Sequence, residues 1–76
     1  RIVFLSGPES WLSSQERAAG YRQAMVEAGL EPRLIFMPNT TVETGMAAME
    51  TALTAHPDLT AVVAVNDAVA IGAVRT

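Results

Sequence analysis

Serine, histidine and aspartate all occur in this chain, so a hydrolytic triad is the first chemistry to weigh. Ser6 lies in Leu5-Ser6-Gly7-Pro8, which is not the G-x-S-x-G turn that exposes a nucleophile. His56, the single histidine, precedes Pro57 at a helix end, where an electrostatic or capping role fits better than general-base work. No nucleophile–base pair can be assembled, and no enzyme is expected. One histidine among scattered carboxylates also lacks metal-ligand spacing, so neither metal nor cofactor is expected. Gly7 after an apolar run invites a nucleotide-binding reading. Ser6-Gly7-Pro8-Glu9-Ser10 has neither G-x-G-x-x-G nor a Walker lysine, and Glu9 adds negative charge, so a phosphate loop is set aside. Met37, Met46 and Met49 read as core fillers.

Three residues remain as candidates. Arg17 falls in what reads as the first turn of a helix, where the macrodipole disfavours a cation; it is either solvated or placed to reach ligand oxygens with its planar fork. Asn66 follows a strand-like run, at the carboxyl end where open α/β sheets bind ligands, and is either an N-cap or a cleft residue. Trp11 sits in a polar loop on the same side, as an interface residue or a stacking platform.

The elements that must position them alternate. Ile2 to Leu5, Arg33 to Met37 and Thr60 to Val65 are short apolar runs of the kind found in strands buried on both faces. Ser13 with Glu16 has capping-box spacing and opens a helix to about Ala28, with Ala18, Tyr21, Ala24 or Met25, and Ala28 inward. Gly29 and Pro32 end it. Thr40 with Glu43 suggests a second box, and a helix to Ala55 with Gly45, Met49, Ala52 and Leu53 inward. Asn66 or Asp67 caps a last, apolar helix from Ala68 to Arg75. The order βαβαβα implies an α/β fold, a parallel sheet with right-handed crossovers. Three such strands leave edges exposed, and the chain reads as a slice of a larger α/β domain.

Composition bounds the rest. Half of the 76 residues are hydrophobic and 17% charged, which excludes a disordered chain. There is no cysteine to staple a small core. All five cations are arginine and the net charge is −3, so nothing here offers a basic footprint for nucleic acid. No apolar run approaches the roughly 20 residues that span a bilayer, and no membrane partner is expected.

Read together, Gly7-Pro8, Glu16-Arg17-Ala18-Ala19-Gly20-Tyr21, Thr44-Gly45, Val65-Asn66-Asp67 and Ala70-Ile71-Gly72-Ala73 form a pattern. The chain resembles the effector-binding domain of LacI-type transcriptional regulators, of the type I periplasmic-binding-protein superfamily. That resemblance implies a partial Rossmann-like lobe covering residues 1–76, about the first half of the C-terminal lobe, with the DNA-binding head outside it. It implies a small polar effector, a sugar or related molecule, in a cleft between two lobes. It assigns ligand contacts to Arg17 and Asn66. Thr40 stands where the family often carries a stacking aromatic, and Trp11 lies near another ligand-loop position. It also implies a cytoplasmic homodimer with Ile71 in the seam, and operator DNA bound only through another domain. A periplasmic sugar carrier of the same fold is the alternative, separable by a helix-turn-helix head or an export signal before residue 1. A flavodoxin-like or response-regulator-like domain wants an acidic cluster or phosphate loop, and neither is present.

Overall fold

The computed structural model describes all 76 residues. Its elements run β1 (Ile2–Ser6), α1 (Leu12–Glu27), β2 (Arg33–Phe36), α2 (Val42–Ala55), β3 (Ala61–Ala64) and α3 (Asp67–Val74). The strands form one parallel sheet in the order β2-β1-β3, with Val3 opposite Arg33 on one side and Val62 on the other. The α/β alternation read from the sequence is therefore the fold.

Handedness then fixes the layers. The first crossover steps from β1 to β2 and the second steps back past β1 to β3. Two right-handed crossovers in opposite directions must lie on opposite faces. Phe4 and Tyr21 meet on the α1 face, ring centroids 5.3 Å apart, with Ala18 and Met25 buried beside them. On the other face Val3, Leu5 and Met37 pack with Ala48 and Ala52 of α2 and Val69 of α3. No helix is long and apolar enough to cross a membrane.

Two glycines set the distance between α2 and α3. A Cβ on Gly72 would lie 2.2 Å from the Val42 carbonyl oxygen, and one on Gly45 would lie 2.6 Å from that of Val69. The helices thus touch backbone to backbone. This explains why the buried stripe of α2 is Gly45, Ala48 and Ala52, while Leu53, expected inward, is 45% exposed.

Several local expectations are corrected. α1 begins at Leu12 with Trp11 at its N-cap and no side-chain cap, so Ser13 and Glu16 form no capping box. The Trp11 N–H turns back to the Pro8 carbonyl and the Trp11 carbonyl accepts from Gln15, which starts the helix ahead of Ser13. In α2 the box is Thr41 with Thr44, one residue later than Thr40 with Glu43, because the Thr44 hydroxyl supplies the return bond. Asn66 caps α3, and Asp67 is its first helical residue. Gly29, at φ +74°, ends α1 as expected: its N–H reaches Val26 and that of Leu30 reaches Met25, a Schellman closure. β3 is not buried on both faces. Beside it on the α1 face runs a groove of about 420 Å³ lined by Phe4, Tyr21 and Val63, because α1 sits over β1 rather than β3.

Candidate functional site

In the order β2-β1-β3, the chain leaves β1 toward the α1 face and leaves β3 toward the α3 face. The carboxyl ends of β1 and β3 therefore part company, which opens the crevice where open α/β sheets bind ligands. Ser6 and Gly7 form one lip, Val65 and Asn66 the other. α1 runs antiparallel to β1: Tyr21 lies over its start and the amino-terminal turn of α1 over its end.

Arg17 crosses this crevice. Its Nη1 donates to the Val65 carbonyl oxygen at 2.7 Å. With α1 starting at Leu12, Arg17 is the sixth helical residue and not a first-turn residue, so the macrodipole does not oppose it as the sequence suggested. One Nη1 hydrogen is committed to Val65, and the guanidinium retains its other donors. Asn66, the next residue, accepts from the Val69 N–H through Oδ1 at 2.9 Å. Both readings of Asn66 left open by the sequence are thus compatible. Oδ1 caps α3, and the side-chain amide nitrogen on this exposed residue has no protein partner.

The other two candidates meet at Gly7. The position of a Cβ on Gly7 would be 2.7 Å from Ser14 Oγ, 3.3 Å from Thr40 Cγ2 and 3.9 Å from Trp11 Cε3. Space, not backbone conformation, favours glycine there, since a side chain would have to push the Ser14 hydroxyl aside. Thr40 is half-buried, and Trp11 is 50% exposed with its ring edge beside Gly7. Arg17 and Asn66 thus gather at the β1–β3 lip, and Trp11 and Thr40 at the β1–β2 side. Ile71 stands apart on α3, 46% exposed.

Sequence reasoning missed two hydroxyls. Ser6 is fully buried and its Oγ has no partner. Ser14 is 2% exposed, and its Oγ lies beside Gly7. Ser14 lies four residues before Ala18, on the inward stripe, and a polar residue on a buried stripe is a readable signal. Among the acidic and histidine side chains, no cluster could hold a metal ion.

A parallel α/β sheet with a polar crevice at its carboxyl ends defines the class. A family model described as periplasmic binding proteins and sugar binding domain of the LacI family matches residues 1–76. The chain belongs to that family. It is similar to the HTH-type transcriptional regulator CelR of Thermobifida fusca, 36% identical over 99% of this chain and 23% of the regulator. It is also similar to a D-ribose/D-allose-binding protein of Pseudomonas aeruginosa, 37% identical over 96% of this chain and 23% of that protein. Among solved structures, a LacI-family transcriptional regulatory protein of Corynebacterium glutamicum superposes with a TM-score of 0.87 at 27% identity, over 97% of this chain and 30% of that one. A periplasmic ribose ABC transporter structure from Conexibacter woesei shares the fold, with a TM-score of 0.89 at 24% identity, over 97% of this chain and 25% of that one. The chain spans about a quarter of the length of the curated relatives it matches. Domains of this kind occur in both LacI regulators and sugar-binding transport proteins.

Proposed function

We propose that residues 1–76 are part of the effector-sensing lobe of a LacI-type transcriptional regulator that binds a sugar or related polar molecule and performs no catalysis. The observation that carries this is Arg17 reaching from α1 to Val65, next to Asn66, across the switch-point crevice. Arg17, Asn66, Trp11 and Thr40 are the ligand-facing residues in this reading. Guanidinium and amide donors suit polyol oxygens, and the indole suits the apolar face of a ring. Ligand binding shifts the balance between two lobe arrangements only through differential affinity for them. A cytoplasmic setting follows from that role, and operator DNA is contacted through another domain.

The similarity to ribose-binding proteins supports a second reading, a periplasmic sugar carrier. Titrating the intact protein with pentoses, hexoses and their disaccharides, then repeating a DNA mobility shift with and without the bound sugar, separates the two. Sugar binding with sugar-dependent retention of operator DNA is the expected result. Sugar binding without any DNA retention selects the carrier, and no sugar binding overturns both readings.

The regulator reading includes a homodimer through α3. Ile71 and Val74 are 46% and 87% exposed on a helix whose other side packs in the core. Ile71→Asp in the intact protein is expected to yield a monomer with effector affinity nearly unchanged, since a two-fold seam places one substitution against itself. An intact dimer on ultracentrifugation places the seam elsewhere.

A further inference from the structure

Two of the four ligand-facing residues stand just before helices that touch backbone to backbone. Asn66 is the N-cap of α3, and Thr40 directly precedes Thr41, the N-cap of α2. The contact falls within the first two turns of each helix, at the crevice. A Cβ on Gly45 would meet Val69 Cα at 2.9 Å, and one on Gly72 would meet the Met46 backbone nitrogen at 2.8 Å. Helix pairs that pack through side chains keep their axes about 8–10 Å apart. Contact of backbone on backbone lies at or below the short end of that range.

The chain of contacts between the two residues has no slack. Asn66 Oδ1 accepts from the Val69 N–H at 2.9 Å. Val69 lies against Gly45, and the Gly45 N–H donates to the Thr41 carbonyl at 3.0 Å. The Thr44 hydroxyl accepts from the Thr41 N–H at 2.9 Å and reaches the Asn39 carbonyl at 3.1 Å. The residues on both sides of Thr40 are thereby held. The α1 side of the crevice has no such frame. Arg17 is exposed and makes one hydrogen bond, and Trp11 starts α1 with no side-chain cap. Thr40 and Asn66 thus form a fixed wall, and Trp11 and Arg17 an adjustable one.

The fixed wall is also short. Neighbouring strands lie about 4.8 Å apart, so β2 and β3, on either side of β1, lie roughly 10 Å apart. Thr40 follows β2 and Asn66 follows β3, and the glycine contact keeps the helices they lead into from spreading farther. One sugar ring with its hydroxyls fits between two such polar groups, whereas two linked rings lying along the wall do not. We infer that Gly45 and Gly72 are positioning residues of the ligand site: they fix the spacing of Thr40 and Asn66, and that spacing selects a monosaccharide over a disaccharide. The inference rests on the sugar-type reading above and narrows it.

A glycine that merely keeps the helices folded predicts something different. Loss of binding-competent protein scales every apparent affinity by the same fraction, whatever the sugar. A change of spacing weakens the sugars unequally, because polar contacts need their partners within about 0.5 Å of the productive geometry.

The test is calorimetric titration of the intact protein with four monosaccharides (D-ribose, D-xylose, D-glucose, D-galactose) and two disaccharides (cellobiose, maltose). In the wild type the best monosaccharide should bind at least about tenfold tighter than either disaccharide. Gly45→Ala sets a methyl group against the Val69 backbone and should narrow that gap severalfold, weakening the monosaccharide most. Thr44→Val removes the hydroxyl that holds Thr41 and Asn39, leaves the helix contact alone, and should shift the ratio the same way by less. It decides the matter if Gly45→Ala fails to fold. Gly20→Ala, with nothing within 4 Å of the added carbon, should leave every affinity unchanged. A disaccharide that binds the wild type as tightly as the best monosaccharide overturns the size limit and leaves the sugar reading standing. Equal losses for every sugar in the folded variants reduce the glycines to scaffolding and overturn their positioning role. Failure of all six sugars to bind the wild type overturns the sugar reading itself, and the inference with it.

Discussion

The two ends of the sheet are built to different rules. At the amino ends of the strands, polar groups are paired. The Tyr21 hydroxyl donates to the Ile2 carbonyl and accepts from the Arg33 N–H at 3.1 Å, tying β1 to β2. Arg1 Nε and Arg33 Nη1 both reach Asp58, at 2.6 and 3.0 Å, and the Thr60 N–H donates to the Arg1 carbonyl. At the carboxyl ends, α1 starts without a side-chain cap, the buried Ser6 hydroxyl is unpaired and Trp11 stands half in solvent. An unpaired buried hydroxyl costs about 1–3 kcal/mol, so the carboxyl end spends stability that the amino end conserves. In the proposed reading, the difference separates a structural end from a ligand-binding end.

The largest test removes the distinction by moving the frame that holds both ends. Gly72→Ala would press a methyl group against the Val42 carbonyl and the Met46 N–H, both backbone atoms that cannot swing aside. Overpacking typically costs about 1–3 kcal/mol, and contact with backbone places this case at or above the top of that range. Because α2 follows Thr40 and α3 follows Asn66, ligand affinity should fall together with stability. Denaturant unfolding of the intact variant with an unchanged midpoint would show that the helices can part freely.

Next comes a change confined to the carboxyl end. Arg17→Ala should weaken effector binding by about 1.5–3 kcal/mol, roughly tenfold or more, through loss of a charge-assisted contact. Arg17 is exposed and bonds only to Val65 O, so the melting temperature should hardly move. Wild-type affinity in the variant would remove Arg17 from the site.

The converse change is Tyr21→Phe at the amino end. It leaves the Arg33 N–H without its side-chain partner and should cost about 1–2 kcal/mol of stability. Effector affinity should stay at the wild-type value. A loss of affinity without a loss of stability would reverse the assignment of the two ends.

Much of this was legible in the sequence, and the misses share a cause. Apolar runs and the Gly29 stop depend on neighbours a few residues away and were readable, while the cap of α3 was left between Asn66 and Asp67 and falls to Asn66. Arg17 and Asn66 were readable as candidates, and the structure joins them through Val65. The contacts at Gly7 and at Gly45 with Gly72 were not, because each depends on segments distant in sequence approaching to contact. The two capping boxes were misread for a subtler reason. Ser13-x-x-Glu16 has the right spacing, yet the turn at Pro8 to Trp11 starts the helix earlier, and spacing alone cannot say where the first turn closes.

The smallest effect belongs to Asp58, and pH brings it out. The hydrogen bond from Arg33 holds the Asp58 carboxyl below its ordinary value of 3.8, and the bond from Arg1 adds to it against some desolvation. A carboxyl depressed in the folded state binds a proton more readily once the chain unfolds. Between the folded and unfolded values the unfolded chain therefore holds more protons, and stability rises with pH. The contribution is complete above the ordinary carboxylate range and fades as pH falls through the folded value. The Asp58 side chain is 49% exposed, so solvent and salt screen the pair and the effect is modest. Asp58→Asn should lower stability slightly at neutral pH and flatten the acid limb of the stability profile. The two proteins should converge at the acid extreme, where Asp58 is protonated and its charge gone. Thermal melts taken stepwise from neutral to acid pH, with an unchanged acid slope in the variant, would show that the amino-end pairing adds no stability of its own.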